Sequence, residues 1–514
     1  MTADHAPRST DDALGDVLYR LRFAALAGLV FILVAVHAAH GHWIGDFWEH
    51  SAVVRELATH PLHPRHPLLV VDAPHPLANP YALLVALFCR LTGASAMIGL
   101  AVAGIVNLIM LLVALRVFVR RFAPPPSQTD AVSFYLLLFM LLFWGIDPWD
   151  YSGFFHINVI VHALPYPSSF AFWLSLLLLA LNEKRIAGGA PRLLLPIVPL
   201  SAVVLLVHPP TFLFVAAGLV AMAADAPRRL AEALVALLVL AAAAGVALMW
   251  PYFSLWALAT GASVPNTRNM PMYSWPLLRT FPALLGVPPL IVNGRRSGRW
   301  SVAAWVAILF VIYLVGFATG NYVFGRVIFF MVFLLQLELA RFVVRRESTS
   351  IAGDAWPAWI LWTGAAVALC VTLSARPLVR TARDVRWGER TGAEYAFLRD
   401  DVGQYDVMMT EGRSSSVAAS FGGKLVAAEN PLPFVAESTQ RTRRSDVATF
   451  FSAATTERER RELLRKYDVS FVLAPRATGV DSASVSESAL RALGSVTHAD
   501  RRFLLVRVDS SVRR

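Results

Sequence analysis

The chain has 514 residues, 56% of them apolar and 16% charged, with a formal net charge of +11 and a mean hydropathy of +0.55. Repeated apolar runs long enough to cross ~30 Å of hydrocarbon exclude a soluble protein built on one large core and imply a polytopic membrane protein. Its basic residues lie in short clusters between those runs, with no Lys/Arg tract interleaved with aromatics, so cytoplasmic retention explains the charge and nucleic acid is not an expected partner.

Residues 1–20 read as a cytoplasmic tail. The first apolar helix, 21–40, is flanked by Arg20 and Arg22 and is followed by His40, Gly41, His42 and Trp43 rather than a small-residue cleavage site. It therefore reads as a retained signal anchor. Ten further stretches read as spans: 95–118, 131–146, 166–182, 193–207, 210–224, 230–250, 275–293, 300–319, 322–344 and 356–375. Clusters such as Arg120/Arg121, Lys184/Arg185, Arg228/Arg229, Arg295/Arg296 and Arg345/Arg346 recur at every second boundary. With those boundaries cytoplasmic, the amino terminus is inside and the carboxyl terminus outside.

The apolar segment 79–93 is too short to span comfortably, and counting it would reverse every later boundary. It reads as an interfacial helix on the outer surface, with Arg90 in the headgroup layer. The expected fold class is thus a helical membrane domain of about eleven spans, residues 21–376, with outer loops 41–94 and 147–165. A small extracytoplasmic α/β domain, residues 377–514, follows it. That domain shows strand-like runs at 406–410, 424–428, 469–474 and 503–508, with helices expected near 393–401, 446–453 and 456–467. Cys89 and Cys370 lie in apolar segments and read as buried thiols.

The chemistry-bearing residues gather at the outer boundary. Gly45-Asp46-Phe47-Trp48-Glu49-His50 follows the first span directly. Asp46 and Glu49, three apart, would face one cavity with His50 beside them, able to take a proton from a hydroxyl or amine or to help hold a divalent cation. The alternative for Asp46 is a helix cap. Asp147 and Asp150 form a second acidic pair at the mouth of a span and are candidate ligands, with Asp46, for Mg or Mn; Asp147-Pro148 reads equally as a turn initiator.

His60, His63, His66 and His75 each precede a proline and read as a rigid extended loop without zinc spacing. His75, Asn79, His156 and His208 are candidate substrate contacts. Arg326 lies four residues inside a span near the outer face, where a guanidinium must snorkel or meet an anion, and a phosphate suits it. Arg279 is a second such candidate, while Asn107 and Glu338 read as satisfying helix contacts.

This layout resembles the GT-C superfamily of integral-membrane glycosyltransferases. The resemblance rests on Asp46-Phe47-Trp48-Glu49-His50 after the first span, Asp147-Pro148-Trp149-Asp150 opening the next large outer loop, the surface helix from Pro80 to Gly93, and the late Gly325-Arg326 element. It implies transfer of a sugar from a polyprenyl-phosphate carrier to a glycan, lipid or protein acceptor at the outer face of the inner membrane. Asp46 would be the general base and Arg326 the carrier-phosphate contact. The acidic spacings here are D-x-x-E and D-x-x-D rather than D-x-D or E-x-D. The Trp-Trp-Asp-Tyr-Gly motif of oligosaccharyltransferases is absent, which argues against asparagine-sequon glycosylation. The rival expectation is a non-enzymatic membrane protein, either a transporter or an inactive scaffold of the same fold. The polar groups lie at the outer boundary and no repeat is visible, which favours the enzyme.

Overall fold

The computed structural model describes residues 10–122, 128–260, 271–350, 358–387, 392–412, 414–476 and 485–513. These are mostly helical, with a small mixed sheet near the carboxyl end. The chain forms two compact units: Met1–His40, Val102–Met249 and Pro265–Gly388 make the first, and Gly41–Ala101, Trp250–Val264 and Glu389–Arg514 the second. The first outer loop thus belongs with the carboxyl-terminal domain.

Six described helices are long and apolar enough to cross a membrane: Arg20–His40, Ala96–Phe122, Arg229–Leu248, Pro276–Ser297, Ser301–Thr319 and Tyr322–Glu347. Two bent pairs raise the number to eight, Ile157–Ala163 with Pro167–Gly188 at 102° and Thr363–Leu373 with Ala375–Asp384 at 69°. The remaining expected stretches, 131–146, 193–207 and 210–224, are the shorter helices Thr129–Leu142, Pro191–Val207 and Pro209–Asp225. By length and composition, six to eight helices among the described residues are full-length spans, and the expected count of eleven is not reached on that criterion. In Thr129–Leu142 every residue but Asp130 is buried, so protein packing already accounts for its apolar character.

Tyr322–Glu347 is the core helix of the first unit: 89% of its most apolar stretch is buried, against 22% for Arg20–His40, Arg229–Leu248 and Ser301–Thr319. Several of its polar side chains bond to neighbouring helices. Gln336 Nε2 donates to the carbonyls of Phe139 and Phe143 at 3.0 and 3.1 Å, closing the end of the Thr129–Leu142 helix. Glu338 accepts from Asn293 and Arg341, each at 2.5 Å. Asn107 donates to the Leu164 carbonyl at 2.8 Å and accepts from Trp173 Nε1 at 3.0 Å. Asn107 and Glu338 thus serve helix contacts.

In the second unit, five strands pair in the order β2-β1-β3-β5-β4: β1 Val407–Met409, β2 Lys424–Leu425, β3 Phe471–Pro475, β4 Gly494–Ala499 and β5 Phe503–Val508. β1 runs parallel to β2 and β3, whereas β5 is antiparallel to β3 and β4. The core beneath includes Phe450, Leu464, Val469, Val472, Leu504 and Val506. The edge at β2 is covered by the outer loop: Leu69 bridges Leu425, and the Leu425 N–H donates to the Leu68 carbonyl at 2.6 Å.

The Pro80–Thr92 helix is capped by Asn79, whose Oδ1 accepts from the Ala82 N–H at 3.0 Å. It buries Tyr81, Ala82, Val85, Ala86 and Cys89 and leaves Leu84, Leu87, Phe88 and Leu91 exposed on one face. That apolar stripe is what a helix lying along a lipid surface requires.

Candidate functional site

The Phe47–Thr59 helix carries the first acidic motif on its opening turn. Gly45, at φ 62°, turns the chain into it, and Asp46 occupies the N-cap position without making a side-chain capping bond. The helix is anchored by its aromatic pair: Phe47 stacks on Trp43 with ring centroids 4.3 Å apart, and Trp48 packs against Phe421. A Cβ on Gly392, itself at φ +85°, would lie 2.4 Å from the Trp48 ring, so this approach requires glycine. Asp46 and Glu49 are left at the positive end of the helix dipole, where an anion is favoured.

Both carboxylates meet one side-chain amide. Asn430 Nδ2 lies 3.5 Å from Asp46 Oδ1 and 3.3 Å from Glu49 Oε2. Glu49 Oε1 is 3.3 Å from His75 Nε2. His75 Nδ1 accepts from the Leu77 N–H, so the ring proton sits on Nε2 and points to the carboxylate. Burial resists ionisation of Glu49, but the His75 ring N–H, the electrostatic pull of the neighbouring imidazoles and the Asn430 amide outweigh it and hold its pKa below the ordinary carboxylate value. His50 is buried and pushed down to about 4, desolvation overcoming the pull of Glu49, so it is neutral at pH 7.

Beneath this turn lies a pair the sequence did not mark. Lys424 Nζ donates to Glu56 Oε2 at 2.7 Å and to the His66 carbonyl at 2.9 Å, with both charged side chains 2% exposed. Glu56 also accepts from the Arg65 N–H at 3.0 Å and Gln404 Nε2 at 3.2 Å. The histidine-proline loop is correspondingly less open than its composition suggests. His66 and His75 are buried, with rings 5.2 Å apart, and His66 Nδ1 accepts from the N–H groups of Leu68 and Leu69.

In the first unit, Arg326 follows the short Tyr322–Gly325 turn and is 5% exposed. Its guanidinium donates to the Tyr322 hydroxyl at 2.5 Å and to the carbonyl and hydroxyl of Ser152, beneath the faces of Tyr151, Phe154 and Tyr322. Gly153, at φ +91°, lets that backbone approach. Among the described residues Arg326 forms no ion pair, so a buried positive charge rests on neutral acceptors and ring faces alone. His208 is close enough that burial, helped by the Arg326 charge, drives its pKa well down; its Nδ1 bonds the Thr211 hydroxyl at 2.7 Å.

The second acidic pair is engaged otherwise. Asp147, in a left-handed conformation at φ 52°, pairs with Arg279 at 3.2 Å. Asp150 accepts from Arg380 and Asn158, each at 3.0 Å, and lies 3.6 Å from His156, whose Nε2 is 3.1 Å from the Trp149 carbonyl. Both carboxylates are thus matched to arginines, Asp147 to Arg279 and Asp150 to Arg380. Among the described residues no group of three or more His, Cys, Asp or Glu side chains is arranged to hold a metal ion. Asn79 Oδ1 caps the Pro80–Thr92 helix. Within single units, then, the structure gathers Asp46, Glu49, His50 and His75 in one place, Arg326 and His208 in another, and Asp150 with His156 in a third.

Neither protein-family models nor curated proteins give a match to the chain. Solved structures do. The apo oligosaccharyltransferase of Archaeoglobus fulgidus superimposes with a TM-score of 0.53 at 9% identity, over 87% of this chain and 69% of that one. The same archaeal enzyme, AglB, solved with an inhibitory peptide and a dolichol-phosphate, gives 0.51 at 9% identity, over 88% and 69%. The arabinofuranosyltransferase AftD from Mycobacteria gives 0.52 at 12% identity, over 96% of this chain but only 40% of that one. The chain has a GT-C-type fold. At such identities the likeness establishes the fold and nothing finer.

Proposed function

We propose that this protein is an inverting glycosyltransferase that moves a sugar from a polyprenyl-phosphate carrier to an acceptor at the outer face of the inner membrane. The observation that carries the reading is the Asp46–Glu49 pair, turned toward a single amide donor at a helix amino terminus. A carboxylate pair that already receives an N–H bond has the polarity needed to receive an acceptor hydroxyl or amine. Asp46, the more exposed of the two, is the base: as the acceptor oxygen or nitrogen bonds to the anomeric carbon, its proton passes to Asp46 and the bond from that carbon to the carrier phosphate breaks. Glu49, ionised and fixed by His75, orients the acceptor, and neutral His50 packs behind it.

Arg326 binds the carrier phosphate and stabilises the charge that grows on it as polyprenyl phosphate departs. The buried Arg326 guanidinium, without an ion pair among the described residues, supports this role, and the dolichol-phosphate found on AglB supports the donor class. Eleven crossings, six to eight of them of full length, would place both termini as the basic clusters require. Asp147 and Asp150, held by Arg279 and Arg380, are assigned no step, and none is routed through a cation.

The test is turnover of a labelled polyprenyl-phosphate sugar by the purified protein in lipid nanodiscs. Release of polyprenyl phosphate, reduced roughly 10²-fold or more in Arg326→Ala, is the expected result. Turnover unchanged in that variant would remove Arg326 from the mechanism, and no turnover with any carrier-linked sugar would favour the non-enzymatic reading.

A further inference from the structure

The carboxyl-terminal domain contains an open cavity of about 440 Å³, within the roughly 300–1,000 Å³ usual for ligand sites. Its floor is Tyr395, Ser414 and Phe503: the tyrosine hydroxyl bonds Ser414 Oγ at 3.0 Å and the two rings lie 4.6 Å apart. The walls carry both signs of charge, with Glu394 and Glu411 opposed by arginines 476, 501 and 502. Arg476 is already committed, donating to Glu487 Oε2 at 2.7 Å and to the Asp500 carbonyl at 2.5 Å. Glu411 is half-buried and Arg501 exposed, and neither forms a hydrogen bond or ion pair with the described residues.

Such a lining selects by polarity. A phosphate would face two carboxylates, and an ammonium would face three guanidinium groups. A hydroxyl both donates and accepts, so neighbouring hydroxyls on one neutral molecule satisfy acceptor-only carboxylates and donor-only guanidinium groups together, without the repulsion a single charge would meet. Burial pushes the Glu411 pKa up, which makes a neutral donor more welcome there than bulk solvent access would suggest. We infer that this cavity is a carbohydrate subsite, which takes a neutral sugar whose neighbouring hydroxyls donate to Glu411 and accept from Arg501 above the Tyr395–Phe503 floor. Binding there needs no reaction; only its use for a glycan acceptor rests on the glycosyltransferase reading.

Saturation-transfer NMR on the detergent-solubilised full chain tests this with methyl mannoside, methyl galactoside and methyl arabinofuranoside, and with inorganic phosphate as the charged control. At least one glycoside should give signal, and Glu411→Gln and Arg501→Ala should each weaken its binding by roughly tenfold or more, the loss of one hydrogen bond to a charged group. Both substitutions alter partly open side chains without a hydrogen bond or ion pair among the described residues, and thermal melting confirms that each variant is folded. Absence of signal from every glycoside, signal unchanged in both variants, or phosphate binding in place of sugar would each overturn the inference. Turnover measured on the same preparations keeps the two ideas apart: binding without turnover upholds the subsite and counts against the transferase, and turnover without binding does the reverse.

Discussion

Asp46 and Glu49 differ in exposure and in partners, although one helical turn presents them both to Asn430. Replacing that amide by a carboxylate, Asn430→Asp, adds a like charge and should raise the pKa of the pair. The acidic limb of the pH–rate profile then moves to higher pH, whereas a purely structural role for Asn430 would lower the rate without moving the limb. Acid stability gives a second check. Glu49, held below its ordinary 4.5, contributes stability that is present above that value and is lost as pH falls through the lower folded value. His50 falls from 6.5 to about 4, so between those values the unfolded chain binds the proton and the folded one does not. Both effects make stability decline as pH falls. His50→Gln should flatten the melting-temperature loss between pH 6.5 and 4, and an unchanged slope would show that His50 is not buried as neutral imidazole. Asp46, Glu49 and His50 were readable in the sequence because they are contiguous and follow a span. Asn430 was not, being 384 positions from Asp46 with only a polar turn around it.

The Phe47–Thr59 helix owes its position to the Glu56–Lys424 pair, which ties it to β2, as much as to its aromatic residues. Lys424→Met leaves Glu56 charged and buried and should destabilise the protein by about 3–5 kcal/mol. Adding Glu56→Leu should restore much of that loss, since an apolar pair of similar volume needs no desolvation. A double variant no more stable than Lys424→Met would contradict this view of the tether. Strands β1, β2, β3 and β5 stood out as apolar, β-branched runs. β4, Gly494–Ala499, did not, because it is an edge strand of mostly half-exposed residues with little apolar alternation to read. The capping box of Thr456 with Glu459 marks the start of the Glu457–Lys466 helix, which the sequence placed within a residue at each end. The histidine-proline loop misled in the other direction. Its prolines correctly forbid helix, yet burial of His66 and His75 depends on partners distant in sequence.

Each of the eleven apolar stretches holds helix, but hydropathy alone does not separate a helix enclosed by protein from one exposed to lipid, as Thr129–Leu142 illustrates. The basic clusters supply independent information. An odd number of crossings puts the carboxyl terminus outside, so an alkaline phosphatase fused after residue 514 should be active in cells; an inactive fusion would require an even count. The GT-C architecture was readable from the order of features along the chain, although no single motif is long enough to carry it. The central claim is that Asp46 removes the acceptor proton. Carrier-linked sugar turnover should therefore be compared between the native protein and Asp46→Asn at saturating donor, with donor affinity measured in parallel. A fall of roughly 10²-fold or more in kcat with donor affinity unchanged is the predicted result. Equal turnover by the two proteins would contradict it.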